Sequence, residues 1–155
     1  MAIESNSGTA PIRIRLNKLE GTRIDIEEPP MSVVFDVDVK MDEESRTNEE
    51  LTISFDLNIS TKPSLVQFDI AGTAVISGGR MAFEAALEVD EGSNVPRVLH
   101  TIYQRVFTSL FVVSSLLEAP YPPPNLIHSP TETRELGPED QITIDTTAQQ
   151  AQQAT

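Results

Sequence analysis

The chain has 155 residues, 39% of them apolar, with 11 Pro, no Cys, no Trp and a formal charge of -13. That length suits one domain, and the missing Cys excludes disulfides and thiolate metal sites. Only 11 Lys and Arg stand against 24 acids, which excludes the basic patches that nucleic acid or an anionic membrane surface requires and favours solubility or a basic partner.

Residues 1–10 are small and polar and are expected to form a flexible arm. They hold no basic stretch followed by an apolar core, so no secretory signal is visible and a cytoplasmic location is expected. A first strand follows, in which Ile12, Ile14 and Leu16 alternate with Arg13 and Arg15, the period of a half-buried strand. Gly21 interrupts it, and Ile24 and Ile26 resume it before Pro29 and Pro30. A second strand places Val33, Phe35, Val37, Val39 and Met41 on one face, with Asp36, Asp38, Lys40 and Asp42 on the other. The polar run 42–50 reads as a turn. A third strand repeats the pattern with Leu51, Ile53, Phe55, Leu57 and Ile59. A proline turn at 61–64 leads to a fourth, with Val66, Phe68, Ile70, Ala74 and Ile76, crossing Gly72 and ending at Gly78 and Gly79. Strands joined by short turns and dry on one side predict a four-stranded antiparallel meander.

The chemistry then changes. Residues 81–89 are rich in helix formers and predict a short helix. Asn94 is a suitable N-cap for a second, long helix reaching about Leu117, with Pro96 in its first turn. Its stripe is Leu99, Ile102, Tyr103, Val106, Leu110, Val113 and Leu117, while Val98, Phe107, Phe111, Val112 and Leu116 spread beyond it. The segment 106–117 is apolar nearly all round, yet too short to span a bilayer. A helix covered on two sides, by its own sheet and by another subunit, explains the pattern. An extended proline segment follows from Ala119 to Ile127, and beyond Ser129 the chain is acidic and then Gln-rich, an expected disordered tail. The domain division is therefore a 1–10 arm, an 11–128 domain of α+β class and a 129–155 tail.

Catalytic constellations are absent from the sequence. His100 and His128 read as structural or surface groups, no nucleophile elbow occurs, and Gly78-Gly79 is a turn rather than a phosphate loop. Asp36, Asp38 and Asp42 could face a hard cation, but they read as the solvated side of an amphipathic strand. A non-enzyme without metal or cofactor is expected. The surplus of apolar surface points to an oligomer or client interface.

The element order of four antiparallel strands, a short helix, a long helix and a proline-rich exit resembles the SecB-like chaperone family. Gly72 and Gly78 in the fourth strand match that family's apolar-x-x-Gly-x-apolar-x-apolar-x-Gly stretch, and Pro120 to Leu126 matches its Pro- and Leu-rich loop. The resemblance covers about residues 10–128. It implies a homotetramer built as a dimer of dimers, the long helices packed between dimers, so Leu99, Ile102, Tyr103, Val106, Leu110, Val113 and Leu117 are the expected oligomer interface. It further implies ATP-independent holding of unfolded or precursor polypeptides in apolar grooves, with a role in protein export. By position, Tyr121, Leu126, Ile127, Phe107 and Phe111 are the expected client-binding residues. Asp36, Asp38 and Asp56 echo the acidic sheet face that meets the translocation ATPase SecA in bacterial members. That family has a second long helix after the proline loop, to which the polar sequence 129–155 offers no counterpart. The competing reading is a non-catalytic adaptor or structural oligomer that docks one folded partner.

Overall fold

The computed structural model describes residues 11–25, 27–28 and 30–127, and the backbone of 131–135. The arm at 1–10, Ile26, His128 and the tail at 136–155 lie outside the described residues. The elements are β1 (Ile12–Arg23), β2 (Ser32–Arg46), β3 (Glu50–Lys62), β4 (Val66–Ser77), α1 (Arg80–Leu87), α2 (Arg97–Leu117) and β5 (Thr131–Glu135). All strand pairs are antiparallel.

The expected architecture of an antiparallel sheet followed by a short and a long helix is present. β2, β3 and β4 form its meander, while β1 lies beside β4, so the sheet order is β1-β4-β3-β2-β5. Alternation along each strand cannot tell which neighbour it takes. The strands also run longer than periodicity predicts. β2 continues through its acidic end to Arg46, because main-chain pairing with β3 persists where apolar alternation stops. The expected turn at 42–50 thus shrinks to a few residues, in which Thr47 Oγ1 accepts from the Glu49 and Glu50 amides at 3.2 and 3.0 Å.

Gly21 does not interrupt β1; the irregularity falls at Asn17, where the register slips between Leu16 and Lys18. Gly21 serves packing instead, since a β-carbon there would lie 2.7 Å from Val113 Cγ1 and 2.9 Å from Leu117 Cδ1. The end of α2 therefore rests on the β1 backbone. Asn94 does not cap α2. It takes a left-handed φ of 64° while its amide donates to the Asp90 carbonyl at 2.7 Å, and the N-cap is Pro96.

One face of the sheet is the core. Phe35, Leu51, Phe55, Ile59, Phe68 and Ile76 are all 2% exposed or less, and α2 covers them with Val98, Ile102, Val106 and Leu110, each fully buried. Each such side chain contributes about 1.5–3 kcal/mol by leaving water. α1 closes one end of the layer through Phe83, over which the Arg46 guanidinium sits 5.5 Å from the ring centre.

The segment at 129–155 is not wholly outside the fold. Thr131–Glu135 adds to the free edge of β2 as β5, a correction to the expected tail. Scarcity of apolar residues argues against burial, but an edge strand needs only main-chain partners.

Candidate functional site

α2 ends at Glu118, whose left-handed φ of 55° turns the chain back while its amide donates to the Ser114 and Ser115 carbonyls. The proline segment then folds against the helix. Tyr103, 2% exposed, donates its hydroxyl to the Pro123 carbonyl at 2.6 Å, anchoring a stretch that has few amides of its own to offer. Ala119, Pro120, Pro122 and Pro123 are buried along the way.

This return path decides which expected client-binding residues are accessible. Leu126 and Ile127 are 0% and 2% exposed and belong to the core, so they are structural wedges rather than groove residues in the single chain. Tyr121 is half-buried and stands between two rings of α2, 4.9 Å from Phe111 and 6.3 Å from Phe107 in edge-on geometry, an arrangement that gains about 0.5–1.5 kcal/mol per pair beyond area. Phe107 also lies 6.2 Å from Tyr103. Phe111 is 47% exposed, and Val112 and Leu116 next to it are 53% and 78% exposed. Phe107 and Phe111, which meet Tyr121, and Val112 and Leu116 thus form two apolar rows of i,i+4 neighbours on the outer part of α2.

The expected oligomer stripe divides in the same way. Leu99, Ile102, Tyr103, Val106 and Leu110 are at most 3% exposed and face the chain's own sheet. In the single chain they are core residues and leave little surface for another copy to cover. Helical periodicity marks a buried side without naming the body that buries it. Val113 and Leu117 are half-buried over Gly21. Val112 and Leu116, which the stripe left out, hold the outward position.

On the opposite face of the sheet the register brings the expected acidic residues together. Asp38 stands opposite Asn58 and that residue opposite Asp69, while Lys40 faces Asp56. Asn58 Nδ2 donates to the Asp69 carboxylate, and Asp36 pairs with Lys62 at 3.1 Å. Asp38 and Asp56 remain exposed. Asp69 joins this face through cross-strand register, which a strand read alone does not reveal. Among the described residues no group of three or more His, Asp or Glu is placed to hold a metal.

A Ser–His–Asp set does occur where the loop at Asp90 and Ser93 meets His100 in the first turn of α2. Ser93 Oγ lies 3.0 Å from Asp90 Oδ2 and 2.6 Å from His100 Nε2. Here the carboxylate takes the serine hydroxyl, and also the Ser93 amide at 3.0 Å, instead of orienting the histidine. The Ser93 hydroxyl donates to Asp90, whereas nucleophile activation needs it to donate to the histidine. The Ser93 hydroxyl and then its amide hold the Asp90 carboxyl below its usual range. The set fastens the loop into α2.

No protein-family model and no curated protein matches the chain. In three dimensions it is similar to a SecB-like chaperone of Mycobacterium tuberculosis, solved in complex with a ChAD peptide from the HigA1 antitoxin. The TM-score is 0.55 at 12% identity, over 74% of this chain and 88% of that one. The chain therefore has a SecB-like fold, as the order of its elements predicts. Among the described residues no helix is long and apolar enough to cross a membrane.

Proposed function

We propose that this chain is an ATP-independent chaperone that holds unfolded or precursor polypeptides in apolar grooves, as a non-catalytic, cytoplasmic protein without cofactor. The observation that supports it most is the exposed apolar band of Phe111, Val112 and Leu116 beside Tyr121, carried on a SecB-like fold. An exposed band of this kind marks an interaction site. The Phe107–Tyr121–Phe111 cluster takes apolar side chains of an extended client, at about 25 cal/mol per Å² removed from water and with little sequence selection. Val112 and Leu116 pack against another copy, in a tetramer assembled as a dimer of dimers. The acidic sheet face with Asp38 and Asp56 is open to a basic partner that receives the client, in export or in another pathway.

Light scattering and an aggregation assay test this together. The expected result is a tetramer that suppresses aggregation of an unfolded test protein at stoichiometric amounts. A monomer without that effect overturns the reading. The antitoxin peptide bound by the structural neighbour favours a second reading, an adaptor that docks one specific partner. An adaptor would bind one peptide sequence and refuse its scrambled form, whereas a general holder of unfolded chains binds both.

A further inference from the structure

The β2 edge offers a second mode of client capture. β5 pairs with β2 only over Ser32–Asp36. From Val37 to Arg46, β2 has β3 on one side and no strand on the other among the described residues. This open edge is not dry. Val37, Val39 and Met41 on its inner face are only half-buried, while Leu57 and Phe55, one strand further in, are 1% and 2% exposed. On its outer face Asp38 and Asp42 are exposed on either side of Lys40.

The strand already there is poorly matched to the place it occupies. β5 reads Thr-Glu-Thr-Arg-Glu, without one apolar residue. Its register sets Glu132 opposite Phe35 and Arg134 opposite Val33, two positions of the buried inner face. Charge at inward register positions is a device that keeps an edge from binding too firmly. The pairing supplies main-chain hydrogen bonds, each a modest net stabilisation.

We infer that the β2 edge is a strand-acceptor site, held by Thr131–Glu135 as a weak internal occupant and taken by an extended peptide that alternates apolar residues with Lys or Arg. The peptide's apolar side chains lie along Val33, Phe35, Val37, Val39 and Met41, and its cations meet Asp38 and Asp42. β5 itself shows that this edge accepts an added antiparallel strand. The inference rests on the chaperone reading for the source of that strand, and it adds main-chain pairing to the apolar band on α2.

The test uses the full chain and a fluorescent synthetic peptide of alternating Val and Lys, with binding followed by anisotropy and the site by amide hydrogen exchange. Thr133→Pro removes a main-chain donor from the internal strand and is expected to tighten peptide binding by about threefold or more. Glu132→Val with Arg134→Val gives that strand apolar residues at the inward register and is expected to weaken binding by about tenfold or more. The bound peptide is expected to protect β2 amides between Ser32 and Arg46, and a version N-methylated at alternate residues is expected to bind poorly. Equal affinity in all three chains, equal binding of the N-methylated peptide, or protection on α2 without protection on β2 overturns the inference. Aggregation suppression measured alongside separates the two readings. If suppression persists while β2 stays unprotected, the strand-acceptor site falls and the chaperone stands; protection of β2 without suppression gives the converse.

Discussion

Gly72→Ala tests the packing that holds β1 on the sheet. A β-carbon at Gly72 would lie 2.3 Å from the Arg15 carbonyl oxygen and 2.9 Å from Phe55 Cζ, against an ordinary contact of 3.4 Å or more. The closest obstacle is backbone, so relief requires β1 and β4 to separate by about 1 Å, enough to carry main-chain hydrogen bonds beyond useful length. Two or three ladder bonds beside the Leu16–Lys18 slip, at about 1 kcal/mol each, join about 1–3 kcal/mol of overpacking. The expected loss is about 3–6 kcal/mol, a large share of the stability of a domain this size. Gly21→Ala is the matched control. Its new methyl meets side chains alone, those of Val113, Leu117 and Phe68, which yield more readily than backbone, for about 1–2 kcal/mol. Urea unfolding reads both as midpoint shifts at unchanged slope. A Gly72→Ala protein within about 1 kcal/mol of the parent, or a costlier Gly21→Ala, refutes the steric argument.

Three further outcomes follow from the site. Leu126→Ala should cost about 2–5 kcal/mol because Leu126 is fully buried, whereas Phe111→Ala should change stability by less than about 1.5 kcal/mol and weaken aggregation suppression; thermal unfolding and the aggregation assay score the pair. Tyr103→Phe removes the bond to the Pro123 carbonyl and should cost about 1–3 kcal/mol, seen as a lower melting temperature with faster amide exchange in the proline segment. Asp90 has a folded pKa below its unfolded value, so its contribution to stability is present above about pH 4 and is lost as pH falls through the folded value. Ser93→Ala removes the largest cause of that depression, and carboxyl NMR titration should show the Asp90 pKa rising towards the ordinary range.

Much of the fold was legible in the residues. Alternation at Val33–Met41 and Leu51–Ile59 marks strands with one dry face, and the helix formers and apolar stripe after Gly79 mark the two helices. The candidate site was only half legible. Tyr121, Phe107 and Phe111 do come together, but Leu126 and Ile127 turn inward, because the Tyr103 anchor folds the proline segment back. No pattern within that segment announces a partner on a helix many residues earlier.

By itself the sequence determined period and polarity: which residues alternate, where the dry faces lie, and that α2 carries more apolar surface than one side needs. Such properties depend on neighbours a few residues apart. Tertiary structure decided the rest: β1 beside β4, Leu99 to Leu110 against the chain's own sheet rather than another copy, Val112 and Leu116 outward, and Thr131–Glu135 on the β2 edge. Each of these is a choice of partner between segments distant in the chain, settled by steric fit, as at Gly21, and by main-chain hydrogen bonding that any side chain can accompany.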